Sequence, residues 1–330
     1  MNIFIICRSR FRRQSLNNFQ ITKNFFNYKL YFFLGFPLFY LSKICSFFKL
    51  GKFISLDGNP VIDEKKGINL WLGGTNFKIP DEYNNLKNNY TNMRSIFLRK
   101  QKIFQMYPLN IRIFKKRKPK IVFISEVNIT KDINVINLWK KNKIELINDF
   151  TKIDDIFFWK KFNFFDKKKI CFSYYRHFKN LLRLEIVKKL FHRYRKNFLL
   201  VGSVWSNFGI KSIPSIFDRR IVSNIYQGNI CIDLGSKAGS LSLYPRSIDI
   251  IESGGILVQS KQSDADKIWK NPMIQKKFLF CNFTELFLVI KKILKNKNIA
   301  EEIYSDNKCI FEKSNLLIQK QFNNIFKSND

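Results

Sequence analysis

The sequence is short of the residues that build metal centres and disulfide scaffolds. It has two histidines in 330 residues, His177 and His192, and no H-E-x-x-H or comparable spacing, which argues against a zinc enzyme. Its six cysteines, at positions 7, 45, 171, 231, 281 and 309, include no C-x-x-C pair and are too few for a disulfide framework in a chain of this length. They read as free thiols in a reducing compartment, with Cys171, Cys231 and Cys281 in or beside apolar runs. No G-x-G-x-x-G and no G-x-x-x-x-G-K-[ST] occurs, so neither the usual dinucleotide fingerprint nor a P-loop is present. Internal repeats and long low-complexity linkers are absent. The opening MNIFIICRSRFRRQ is not patterned as a secretory leader, because its apolar run precedes its charges and no small-residue cleavage site follows.

Acid is the other scarcity. Asp and Glu number 25 against 59 Lys and Arg, a formal charge of +34. Such a surface favours anionic partners: nucleic acid, an anionic membrane face or phosphorylated small substrates. Phe, Lys, Asn and Ile share A/T-rich codons, so part of the lysine excess reflects base composition, and the nucleic-acid reading is discounted accordingly. The basic run Lys115–Lys120 (KKRKPK) reads as a solvated turn before a strand. Leu30–Leu41 (LYFFLGFPLFYL) is uncharged and apolar but too short to cross a bilayer, which leaves a core segment or a lip on an anionic membrane surface.

What is plentiful is apolar material, 45% of residues, enough for two ordinary domains. In the first half Asn2–Ile6, Ile68–Leu72 and Ile121–Ser125 read as strands and Asn84–Met106 as a helix. The charged run Asp166–Lys169 is the expected boundary. Beyond it, Ile170–Tyr174, Phe198–Val201, Asn229–Leu234 and Ile256–Gln259 read as short continuous apolar strands. Helices Asn180–Tyr194, Pro245–Ser253 and Thr284–Leu294 are interleaved with them. Pro245 in the first turn, Gly254-Gly255 past the end, and the Asn282/Glu285 capping pair supply the punctuation. This alternation predicts a parallel sheet covered by helices, with ligands at the carboxyl ends of its strands.

Those strand ends carry glycine, small hydroxyls and cations: Arg176, His177, Lys179 and Arg183; Gly202, Ser203 and Trp205; Gly235, Ser236 and Lys237; then Tyr244-Pro245-Arg246. Helix N-termini flanked by cations suit a phosphate or diphosphate, and glycine lets backbone approach it.

An ordered string runs through the same region. Leu199-Leu200-Val201-Gly202 is followed by Trp205, then by Y-Q-G-N-I-C-I-D-L-G-S from Tyr226, by R-S-I-D-I-I-E-S-G-G-I-L-V-Q-S from Arg246, and by Phe283-Thr284-Glu285-Leu286. It resembles the CgeB-like branch of the group 1 glycosyltransferases over about 140 residues. Tyr226, Ile230 and Asp233 match one motif, and Arg246, Gly254, Gly255 and Leu257 another; the family glutamate three after the arginine is Asp249 here. The resemblance implies a metal-independent hexosyltransferase with a GT-B-like α/β fold. Two Rossmann-like domains would face a cleft, the N-terminal one small and divergent. The expected divisions are residues 1–166 for the acceptor side, 167–310 for the nucleotide-sugar side and 311–330 for a C-terminal helix. The resemblance further implies that Arg246 and Lys237, with Arg176 and Lys179, contact the donor diphosphate. Gly202, Gly235 and Ser236 shape the same site, Asp249 or Glu252 holds the ribose, and Trp205 or Tyr226 stacks near the base. His177 and Glu126 are the candidate catalytic groups. The implied partners are a nucleotide sugar as donor substrate, with no separate cofactor, and a glycan, lipid-linked or protein acceptor. The protein would sit in the cytoplasm or peripherally on the inner membrane face. A non-catalytic nucleotide-sugar-binding relative and a basic nucleic-acid-binding protein are the alternatives.

Overall fold

The computed structural model describes residues 2–7, 29–34, 52–55, 67–72, 102–104, 108, 111–153, 167–235, 242–243, 245–262, 265–312 and 320. Contacts divide the chain into two compact units. One comprises residues 1–74, 78–110 and 313–330, the other residues 75–77 and 111–312.

The first unit contains five parallel strands, β1 (Asn2–Cys7), β2 (Lys29–Leu34), β3 (Lys52–Ser55), β4 (Gly67–Leu72) and β5 (Lys102–Phe104), in the order β2-β1-β3-β4-β5. Leu30–Leu34 of the apolar stretch lies in β2; the rest of that stretch is outside the described residues. Of the expected helix Asn84–Met106, the described part, Lys102–Phe104, is the strand β5.

The second unit runs in chain order through β6 (Ile121–Ile124), helix α1 (Ile133–Asn148), helix α2 (Lys167–Tyr194), β7 (Phe198–Val201), a 3-10 helix (Ser203–Phe208) and α3 (Arg219–Tyr226). It continues with β8 (Ile230–Asp233), α4 (Pro245–Glu252), β9 (Ile256–Ser260), α5 (Ala265–Ile268), α6 (Pro272–Phe278), β10 (Leu279–Phe280), α7 (Phe283–Lys295) and α8 (Lys297–Phe311). Its sheet is parallel, in the order β10-β9-β8-β6-β7. In both units the first strand lies between the second and the third, so both sheets share one strand order. In such sheets the chain reverses direction at the first and third strands, and a crevice opens there at their carboxyl ends.

The division at residues 110 and 111, instead of 166, follows from β6. It is a central strand, paired with β7 on one side and β8 on the other, and Ile121 and Val122 are fully buried. Phe150, after α1, packs edge-on against Phe280 and Phe283, with centroids 6.0 and 5.2 Å away, and its N–H donates to the Cys281 carbonyl at 2.6 Å. Each large apolar side chain buried this way contributes about 1.5–3 kcal/mol, so residues 111–153 belong to the second core.

Helix α2 also differs from expectation. Ile170–Tyr174 is helical, not a strand, and lies within a 28-residue helix that begins in the charged run Lys167-Lys168-Lys169. A five-residue apolar run fits either period, and its continuation into Phe178, Leu182, Ile186 and Leu190, all buried, gives the helical one. The other strands hold. β8 and β9 are buried along their whole length, as strands covered on both faces must be. At the start of α7 the Asn282 side chain accepts from the Glu285 N–H at 2.9 Å, and the Glu285 carboxylate accepts from the Cys281 N–H at 2.6 Å. This is a capping arrangement that reaches one residue further back than the usual box. Phe283, Leu286, Val289, Ile290 and Ile293 form the buried stripe of that helix. Cys231 is buried, Cys281 half-buried and Cys309 exposed, all three as free thiols.

Candidate functional site

The carboxyl ends of β8 and β9 meet at Gly235. Its φ of +67° belongs to the left-handed region, and a Cβ there would lie 2.9 Å from Cδ of Gln262. That backbone conformation favours glycine in the turn after β8, which meets the turn after β9 through the Gln262 side chain. Directly beneath it is Asp233, fully buried in its strand. One carboxylate oxygen accepts from the Gly235 N–H at 3.1 Å and faces Nη1 of Arg246 at 3.4 Å; the other accepts from Nε2 of Gln259 at 3.1 Å. Gln259 is the register partner of Asp233 across the ladder and also donates to the Ser242 carbonyl at 2.6 Å. Its amide nitrogen lies between two acceptors, which fixes the orientation of the group. The stretch that departs at Gly235 and returns at Ser242 is therefore braced at both feet by one buried carboxylate and one buried amide.

Arg183 approaches the same point from α2. It is fully buried and donates from Nη1 to the Lys179 carbonyl at 3.2 Å and from Nη2 to the Gly235 carbonyl. Lys179, one helical turn earlier, is also buried. These two residues, with Lys261, Gln262, Ser260, Leu234, Phe150, Thr151 and Ile153, line a narrow crevice open to solvent. Among the described residues that line it are three cations, Lys179, Arg183 and Lys261, the last paired with Asp266 at 3.2 Å. Lys179 and Arg183 are buried, and buried cations act through a lower effective dielectric than those at a wetted surface.

The remaining residues read from the sequence are distributed as follows. Arg246 and Asp249 both sit on α4, and Asp249 forms an ion pair with Arg219 of α3. Burial raises the Asp249 carboxyl above the ordinary carboxylate range, and the Arg219 guanidinium opposes that shift. Tyr226 is buried beside this group, and burial pushes its phenol strongly upward, with the Arg246 charge acting against it. Glu252 is the last residue of α4, and its carbonyl accepts from the Arg112 N–H at 2.9 Å. Gly235 and Arg246 thus converge on one oxygen of Asp233. Ser236 and Lys237 lie outside the described residues.

Trp205 is in the core, fully buried, with its indole N–H donating to the Ser125 carbonyl at 2.7 Å and its ring edge-on to Phe123. Gly202 has a φ of +148° and a Cβ there would fall 2.5 Å from the Ser125 carbonyl oxygen, so it serves the close packing of Trp205. Glu126, at the end of β6, caps the 3-10 helix. Its carboxylate accepts from the N–H groups of Ser203 and Val204 at 2.7 and 3.2 Å and from the Ser215 hydroxyl. Those bonds give it a structural task. Arg176 is exposed on α2. His177, its neighbour, is half-buried with Nδ1 making no hydrogen bond. Ser260, Lys261 and Gln262 were not singled out in the sequence. The signal was there: a polar run directly after an apolar parallel strand falls at the ligand edge. Among the described residues no group of three or more His, Cys, Asp or Glu side chains is placed to hold a metal ion. Nor is any helix among them long and apolar enough to cross a membrane.

No protein-family model matches the chain, and no curated protein matches it in sequence. Solved structures do match its fold. One is T4 phage BGT, a GT-B glycosyltransferase solved in complex with UDP and Mn2+, with a TM-score of 0.51 and 11% sequence identity over 100% of both chains. At that identity the likeness is one of fold: the chain is an α/β protein with parallel sheets and helices, built like a GT-B glycosyltransferase.

Proposed function

We propose that the protein transfers a sugar from a nucleoside diphosphate donor to a glycan, lipid-linked or protein acceptor. Its two sheets would be the Rossmann-like halves of a GT-B enzyme. The observation that carries the reading is the crevice at the carboxyl edge of the second sheet, where Lys179, Arg183 and Lys261 gather beside the Gly235 turn. Transfer leaves a nucleoside diphosphate whose charge grows as the glycosidic bond breaks, and fixed cations stabilise that charge more in the transition state than in the bound donor. The matched fold of an enzyme solved with UDP supports the same class of ligand. In this reading Lys179 and Lys261 face the diphosphate. Arg183, Asp233, Gln259 and Arg246 hold the Gly235 turn in place, and side-chain cations do the work without a metal. Trp205 and Gly202 take no part in donor contact.

The test is a melting-temperature screen over UDP, GDP, dTDP and their sugars, since a ligand that binds only the native state stabilises it. One nucleotide class should raise the melting temperature, and Lys179→Gln should weaken its binding about tenfold or more, a loss of about 1.4 kcal/mol. Absence of any shift with every nucleotide would remove the proposal. A second reading, donor binding without turnover, has its own support: Glu126 and Asp249 are both committed to structural bonds. A nucleotide-dependent shift with neither transfer nor donor hydrolysis would favour it. Transfer that persists in EDTA is the expected result for metal independence.

A further inference from the structure

The opposite edge of the second sheet has a different character. Between Glu185 and Asp218 the chain has no acidic residue, and between Glu285 and Glu301 it has none either. These two stretches contain the C-terminal turns of α2 and α7, and the two helices are neighbours: Arg193 lies over the Phe287 ring at 4.6 Å and Lys189 over the Phe283 ring at 4.1 Å. Both helices run from the carboxyl edge to the amino edge of the sheet, so their cations gather at the amino edge. Lys188, Lys189, Arg193, Arg195 and Lys196 are exposed at the end of α2, and Lys291, Lys292 and Lys295 at the end of α7. Lys118 and Lys120 add to the patch from the run before β6. Ile121 of that strand is in register with Phe198, and the Asn197 side chain donates to the Pro119 carbonyl at 3.2 Å. Leu288, 47% exposed, stands among the lysines of α7.

Cations at helix C-termini gain from the helix dipole, but that gain reaches only the last turn. It accounts for Arg193, Lys292 and Lys295 and leaves the rest of the patch unexplained. Crowded like charge repels itself unless an anionic partner compensates it. The aromatic residues in the patch discriminate between partners. Phe287 is covered by Arg193, Phe283 by Lys189, and Phe191 lies under Arg195. Rings covered in this way are not a platform for bases, which single-stranded nucleic acid would need. Long cationic side chains around an exposed leucine suit a headgroup layer, where the stems lie along apolar surface and the charges reach phosphate.

We infer that the amino edge of the second sheet, formed by the ends of α2 and α7 and the turn before β6, is a docking face for an anionic lipid bilayer. The inference is independent of the donor reading. It is tested by sedimentation of the full chain with phosphatidylcholine vesicles, with vesicles containing phosphatidylglycerol, and with a duplex oligonucleotide as competitor. Binding is expected only to the anionic vesicles, weakening as salt shortens the screening length from about 10 Å at 0.1 M to about 3 Å at 1 M. At about fivefold per basic residue at an anionic surface, the variant Lys188→Gln, Lys196→Gln, Lys291→Gln, Lys295→Gln should bind on the order of a hundredfold or more weakly. The matched control, Lys140→Gln, Lys141→Gln, Lys267→Gln, Lys270→Gln, removes the same charge from exposed positions outside the patch and should bind as the parent does. Equal loss in both variants would reduce the effect to net charge and overturn the inference. So would binding to the oligonucleotide in preference to the vesicles, or no binding to anionic vesicles at all.

Discussion

The two edges of the second sheet are both basic, yet they hold their charge in opposite ways. At the carboxyl edge Lys179 and Arg183 are buried, and the Arg183 guanidinium is fixed by carbonyls of its own helix and of the Gly235 turn. At the amino edge the cations are exposed on helix ends in stretches without acid. A buried cation costs desolvation and is kept where geometry needs it; an exposed one contributes a field that salt can screen. The same residue types therefore mark a shaped anion crevice at one edge and a diffuse attractive surface at the other.

That contrast can be broken by mutation. The largest effect is expected at Arg183→Leu, which strands the Gly235 carbonyl and leaves a void in place of the buried guanidinium. It should cost about 2–4 kcal/mol of stability, from the unsatisfied acceptor and the void together, read as a shifted denaturant midpoint, and abolish any nucleotide response. Next is Gln259→Leu, which removes the donor to one oxygen of the buried Asp233 carboxylate and leaves the Ser242 carbonyl with the Ser247 hydroxyl alone. A loss of about 1–3 kcal/mol is expected, together with a raised KM for the donor as the Gly235 turn loses its brace. Arg246→Ala should weaken nucleotide binding by about tenfold and leave vesicle binding unchanged, which separates the two edges directly.

The smallest effect concerns pH. The Asp249 carboxyl is raised by burial above its ordinary value of 3.8. A raised group contributes stability that is complete below its unfolded value and is lost as pH rises through its folded value. The melting temperature of the parent relative to Asp249→Asn should therefore fall as pH is raised from below 3.8 through the raised value. The change should be under about 1 kcal/mol, because the Arg219 pair is partly exposed. A flat difference would show that burial does not govern this carboxyl.

The sheet of the second unit was legible because its strands are short, apolar and well punctuated; Pro245, Gly254-Gly255 and the Asn282 cap mark their elements plainly. The run at Ile170 misled because five apolar residues suit either period, and the charged Lys167-Lys168-Lys169 resembles a linker as much as a first helical turn. Lys179 was expected on a loop after a strand and in fact lines the crevice from a helix, four residues before Arg183. Trp205 and Gly202 match a motif, but their task is to pack against Ser125, and no spacing along the chain reveals which wall of a fold a tryptophan faces. The partnership of Asp233 with Gln259 depends on ladder register between strands more than twenty residues apart, which the sequence does not encode locally.

Helix α2 connects these observations. At 1.5 Å per residue, Arg183 and Arg193 lie about 15 Å apart along one uninterrupted rod. The wall of the crevice and the outer basic end are thus parts of a single rigid body. Whatever grips that outer end holds a lever whose inner arm reaches the crevice, so attachment there also fixes the direction in which the opening points.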